Sequence, residues 1–119
     1  RLPIRYAMTY PERAESPLEP LDLLVCPPLT FSKPDRRTFP CLALAEEEAV
    51  RGGTACAALN GANEEAVRLF LAEKIGFYDI FHLTRKAMAA LPVVEHPTLE
   101  EILEADREAR EIVSKEHLA

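Results

Sequence analysis

Thr98-Leu99-Glu100-Glu101-Ile102-Leu103-Glu104-Ala105-Asp106-Arg107-Glu108-Ala109-Arg110-Glu111-Ile112-Val113 is the stretch from which the fold can be read. Its first four residues form a capping box. A threonine oxygen and a glutamate carboxylate each satisfy a backbone N–H that the first helical turn would otherwise leave orphaned. Ile102, Leu103, Ala109, Ile112 and Val113 then recur at helical spacing toward His117, with Glu104, Glu108 and Glu111 among the solvent-side charges. Glu104 and Glu108 repel weakly across four residues, whereas Glu111 attracts Lys115 by a few tenths of a kcal/mol. A stripe this narrow cannot bury itself, so a helix over 98–117 needs partners.

Three partners precede it. Residues 78–91 place Ile80, Leu83, Ala87 and Leu91 along one stripe before Pro92 stops the helix. Residues 62–74 carry Ala66, Val67, Phe70 and Leu71, with Glu64 and Glu65 in the first turn and Gly76 as a left-handed cap. Residues 41–51 carry Leu42, Ala45 and Ala49 on one side and end at Gly52-Gly53. Four amphipathic helices joined by short connections close as a bundle.

Upstream the pattern breaks. Eight of the ten prolines (Pro3, Pro11, Pro17, Pro20, Pro27, Pro28, Pro34 and Pro40) fall in residues 1–40 and exclude long helices there, so this part is expected to be extended or turned. Leu21, Leu23, Leu24, Val25, Leu29 and Phe31 make it too apolar for a solvated linker, and it reads as an arm that packs on another surface. Charge marks the same boundary: 6 basic and 5 acidic residues lie in 1–40, against 8 and 15 in 41–119. The expected fold class is mainly α, with a C-terminal four-helix bundle over 41–119 preceded by a Pro-rich extended arm or linker over 1–40.

The chain has 119 residues, 48% hydrophobic and 29% charged, which suits one soluble unit or a piece of something larger. No apolar run approaches the ~20 residues of a membrane span. A net charge of −6 opposes both nucleic acid and anionic membrane surfaces as partners. Residues 1–11 lack the apolar core and cleavage site of a secretory signal, and the start reads as a cut. Cys26, Cys41 and Cys56 contain no C-x-x-C pair, which fits reduced thiols and a cytoplasmic location.

The sequence offers little chemistry. Gly52-Gly53-Thr54 follows a helix, not a strand, and reads as a helix terminator in preference to a phosphate loop. A di-metal bundle needs two Glu-x-x-His motifs, but only Asp79-x-x-His82 is related, and His96 and His117 do not join it. Cys41 at a helix start could have a lowered pKa, although inert packing suits it better. Glu46, Glu47 and Glu48 read as a solvated face, and Arg36-Arg37 as surface salt contacts. In Leu59-Asn60-Gly61-Ala62-Asn63-Glu64, Asn60 or Asn63 is expected to cap a helix, and Gly61 to let a neighbouring helix come close. A ligand contact is the lesser reading of these asparagines.

Leu2-Pro3-Ile4-Arg5-Tyr6-Ala7, Pro20-Leu21-Asp22-Leu23, Leu29-Thr30-Phe31, Phe39-Pro40-Cys41-Leu42, Leu44-Ala45, Gly52-Gly53-Thr54, Leu59-Asn60-x-Ala62-Asn63-Glu64 and Ile75-Gly76-Phe77 with Asp79-Ile80 together resemble the C-terminal portion of the 1-deoxy-D-xylulose 5-phosphate reductoisomerase family. Two residues depart from the family pattern: Gly61 replaces a usual alanine and Cys56 a common proline. The resemblance implies an enzyme with a dinucleotide-binding domain, a metal-binding catalytic domain, a linker and a terminal helical domain. It would use NADPH and Mg²⁺ or Mn²⁺ to make 2-C-methyl-D-erythritol 4-phosphate for isoprenoid biosynthesis, commonly as a homodimer. The family's catalytic, cofactor and metal residues lie upstream of Arg1, so none is assigned here, and the fragment alone is expected to be inactive and to bind neither cofactor. Its partner would be the remainder of the same enzyme. A self-standing helical protein-interaction module is the alternative.

Overall fold

The computed structural model describes residues 2–15 and 18–118; Arg1 and Pro17, which the sequence assigns to the arm, lie outside them. The described residues form five helices and no strand: α1 (Leu2–Thr9), α2 (Pro40–Arg51), α3 (Ala55–Leu71), α4 (Asp79–Ala90) and α5 (Leu99–Glu116). The chain is thus mainly α. It divides into two compact units, residues 1–33 and 34–119.

The first unit departs from the expected extended arm at its start, where Leu2–Thr9 is helical. Pro3 sits in the first turn, where a missing N–H breaks no intrahelical bond, and the remaining residues to Thr9 contain no further proline. The Thr9 hydroxyl donates to the Glu12 carbonyl at 2.8 Å beyond the helix end. Residues 12–15 and 18–33 carry no helix or strand.

In the second unit α3 is the central element, packed most extensively on α5, then on α4 and α2. Ala55, Ala58, Ala62, Ala66 and Leu69 recur every three or four residues, and all are buried. Small side chains along one stripe let neighbouring helices approach closely. Ile80, Ala87 and Met88 of α4, with Ala109 and Val113 of α5, complete this core.

The helix ends show how the local sequence acts. Thr98 and Glu101 form the expected capping box: the Glu101 N–H donates to Thr98 Oγ1 at 3.2 Å and the Thr98 N–H to Glu101 Oε2 at 2.8 Å. Gly52 (φ 74°) and Gly53 (φ 56°) adopt left-handed backbone where α2 ends. Gly76 is not the left-handed cap of α3. That role falls to Glu73 (φ 57°), whose N–H donates to the Phe70 carbonyl at 2.9 Å, while the Lys74 N–H donates to the Leu69 carbonyl at 3.0 Å. These two bonds make a Schellman termination with a glutamate in the glycine position. Gly76 instead donates its N–H to Asp79 Oδ2 at 2.8 Å, just before α4.

Candidate functional site

Helix α3 begins at Ala55 and not at Ala62, so the Leu59–Glu64 motif lies inside the helix and neither asparagine caps it. Alanine and leucine over Ala55–Leu59 are strong helix formers and carry the helix upstream of Gly61. The motif's residues therefore divide between two faces of one helix.

One face meets α5. Gly61 is buried, and a Cβ there would lie 2.7 Å from both the Asp106 carbonyl oxygen and Asp106 Oδ1. The expected close approach of a neighbouring helix is therefore present. Glu65, expected in a first helical turn, lies well inside α3 and is buried between helices: Arg68 donates to its Oε2 at 2.7 Å and its Oε1 at 2.5 Å, and the Ser114 hydroxyl donates to Oε1 at 2.6 Å. Hydrogen bonding from Arg68, joined by Ser114, outweighs burial and holds the carboxyl down at about 2. Beside it, Arg110 donates to Asp106 Oδ2 at 2.8 Å and to Glu64 Oε2 at 2.6 Å, a second polar tie between the helices.

The other face meets α2 and α4. Asn60 and Asn63 line a cleft of about 420 Å³ with Cys41, Leu42 and Leu44 of α2 and Thr84 of α4. Thr84 Oγ1 is buried and has no hydrogen-bond partner among the described residues. An adjoining cleft of about 230 Å³ shares Cys41 and Asn63 and is walled by Phe77, Tyr78 and Phe81. Phe70, Phe77 and Tyr78 form a chain of edge-to-face rings, with centroids 5.9 and 5.7 Å apart.

The remaining candidates are dispersed. Cys41 is half-buried, and desolvation pushes its thiol up, opposite to the lowering that a helix start would give. Glu46 accepts two bonds from Arg36, at 2.8 and 2.9 Å, while Arg37 uses its backbone N–H on Asp35 Oδ1 at 3.0 Å. Glu48 corrects the solvated-face expectation: it is buried, with Arg51 at 3.5 Å. His82 lies beside the Phe81 ring, His96 is exposed, and His117 Nδ1 is 2.6 Å from the Ser114 carbonyl. Among the described residues no three His, Cys, Asp or Glu side chains cluster so as to hold a metal ion. None of the described helices is long and apolar enough to cross a membrane. Nothing in the sequence marked Thr84, a single hydroxyl within an amphipathic helix.

The family described as DXP reductoisomerase C-terminal domain matches this chain over residues 1–112. The chain belongs to that family. It is 49% identical over 109 residues to the 1-deoxy-D-xylulose 5-phosphate reductoisomerase of Synechococcus sp. (strain JA-2-3B'a(2-13)), covering 92% of this chain and 28% of the relative. It is 50% identical over 111 residues to that of Symbiobacterium thermophilum, covering 93% and 29%. The solved reductoisomerase of Zymomonas mobilis in complex with NADPH superposes with TM-score 0.88 at 36% identity, covering 99% of this chain and 31% of that one. A DOX-P reductoisomerase in complex with NADPH, fosmidomycin and magnesium gives TM-score 0.81 at 39% identity, covering 98% and 31%. This member of the family thus spans less than a third of the length of these relatives.

Proposed function

We propose that this chain is the structural C-terminal part of an NADPH-dependent reductoisomerase that converts 1-deoxy-D-xylulose 5-phosphate to 2-C-methyl-D-erythritol 4-phosphate. The observation that carries the proposal is the family match over residues 1–112, joined to nearly 50% identity with named reductoisomerases. In this reading residues 1–40 end the catalytic domain and form the linker, and residues 41–119 are the helical domain that braces it. The intact enzyme works in the cytoplasm as a homodimer.

Unburied apolar surface supports the bracing role. Leu21, Leu23, Leu24, Val25, Leu29 and Phe31 are each more than three-quarters exposed in the first unit. In the second, Phe39, Phe77 and Tyr78 are each more than half exposed around the smaller cleft. Aromatic and aliphatic groups gathered in this way mark surfaces that bind other protein. The rest of the same enzyme is the partner that the relatives' greater length supplies.

NADPH provides the hydride, and a divalent cation provides Lewis-acid polarisation of the substrate oxygens. In this reading both groups are held by the remainder of the enzyme; among the described residues no three His, Cys, Asp or Glu side chains cluster to hold the cation. The chain contributes by holding catalytic walls in place without touching substrate. The test is NADPH oxidation by this chain alone with 1-deoxy-D-xylulose 5-phosphate and Mg²⁺. No rate above the substrate-free background is expected, and turnover near that of an intact relative overturns the proposal.

A further inference from the structure

We propose that the larger cleft, between α2, α3 and α4, is a binding site for a small uncharged molecule with an apolar body and a hydroxyl or amide end. Its volume, about 420 Å³, falls within the range of small-molecule pockets and is many times the roughly 30 Å³ share of one water. A single water that satisfied Thr84 would leave most of this space to fill.

The lining sets the ligand class. None of the residues around the cleft is charged, so a carboxylate or ammonium would lose its hydration without gaining a counter-ion. Leu42, Leu44 and Leu59 supply the apolar wall. Thr84 Oγ1 supplies a buried hydroxyl with no partner among the described residues, able to donate or accept. Asn60 and Asn63, three residues apart on α3, supply amide groups along the same cleft. Asparagine is a weak helix former, and α3 begins five residues before Asn60, so neither side chain caps it; Asn60 also hydrogen-bonds the Glu64 carboxylate, which leaves Asn63 the freer amide toward the cleft. An unsatisfied hydroxyl at a cleft that also carries two helix-interior amides is the juxtaposition that points to a hydrogen-bonding ligand.

The site does not depend on the reductoisomerase reading, since it lies wholly within the second unit and invokes no catalytic group. The test is two-dimensional NMR of the isotope-labelled chain titrated with benzyl alcohol, benzamide and benzoate. The two neutral probes are expected to shift the amides of Asn60, Asn63 and Thr84 saturably, with benzoate weaker by about tenfold, or about 1.4 kcal/mol. Thr84→Ser should retain binding, and Thr84→Val should weaken it by a similar factor while leaving the spectrum elsewhere unchanged. If Thr84→Val does not fold, Asn63→Ala serves as the second variant, with the same loss expected. The proposal is overturned by an absence of saturable shifts, by shifts centred elsewhere, by equal binding of benzoate, or by hydroxyl-deleted and amide-deleted variants that bind as well as the parent.

Discussion

Thr54 and Val94 hold each other by two hydrogen bonds across forty residues: the Thr54 N–H donates to the Val94 carbonyl at 3.1 Å, and the Val94 N–H donates to Thr54 Oγ1 at 3.1 Å. This pair ties the α2–α3 corner to the segment between α4 and α5. Gly53 makes room for it, since a Cβ there would lie 2.1 Å from the Val94 oxygen on a backbone already at φ 56°. The Gly52-Gly53-Thr54 motif is thus a clamp as well as a terminator.

Thr54→Val should destabilise the second unit by about 1–3 kcal/mol, because it leaves the Val94 N–H without its acceptor. Thr54→Ser should retain most of the stability. Urea midpoints together with amide exchange at Val94 provide the check; a midpoint unchanged in the valine variant contradicts the clamp.

Glu65 makes the second unit sensitive to acid. Its carboxyl is held at about 2 in the folded chain against an ordinary value of 4.5. The ionised form is therefore favoured by folding, and that contribution is complete above about pH 5 and lost as pH falls from there toward 2. Arg68 is 59% exposed, so solvent screening reduces the contribution to about 1–2 kcal/mol. Chemical denaturation from pH 7 to pH 2 should show this loss in the parent, and Glu65→Gln should flatten it. Equal slopes in the two proteins would rule out the assignment.

Gly61→Ala should destabilise this chain. The new methyl would approach the Asp106 carbonyl to 2.7 Å, and α5 must retreat. Helix propensity returns about 1 kcal/mol while overpacking costs about 1–3 kcal/mol, so a net loss near 1 kcal/mol is expected. A higher melting temperature in the alanine variant would show that α3 and α5 separate without strain.

Glu73→Gly should stabilise. A non-glycine residue in the left-handed region costs about 1–2 kcal/mol, and glycine relieves this where the Schellman bonds of Leu69 and Phe70 are already in place. The melting temperature should rise, and a fall would mean that the glutamate side chain makes a compensating contact.

The helices of the second unit were legible because each carries its signal locally. The Thr98–Glu101 box, the Gly52-Gly53 stop and Pro92 act through neighbouring backbone, and sequence spacing displays them directly. What was not legible depended on other helices. Gly61 reads as a point of close approach, but which helix comes close shows only when Asp106 is seen against it, and Glu65 reads as a first-turn charge favoured by the helix dipole until Ser114 and Arg68 enclose it. Helix α1 was hidden for another reason: the density of prolines outweighed the fact that Pro3 occupies a turn that tolerates it. The family motif was readable as a motif, but its division between a packed face and an open cleft required the true start of α3. Thr84 gave no signal at all.

The role proposed for this chain is to complete a reductoisomerase without performing its chemistry. The most direct measurement replaces the matching C-terminal portion of the Symbiobacterium thermophilum relative with this chain and follows NADPH oxidation with 1-deoxy-D-xylulose 5-phosphate. Turnover within about tenfold of the parent enzyme is expected, a barrier change of no more than about 1.4 kcal/mol. A folded chimera that binds NADPH but does not turn over would contradict it.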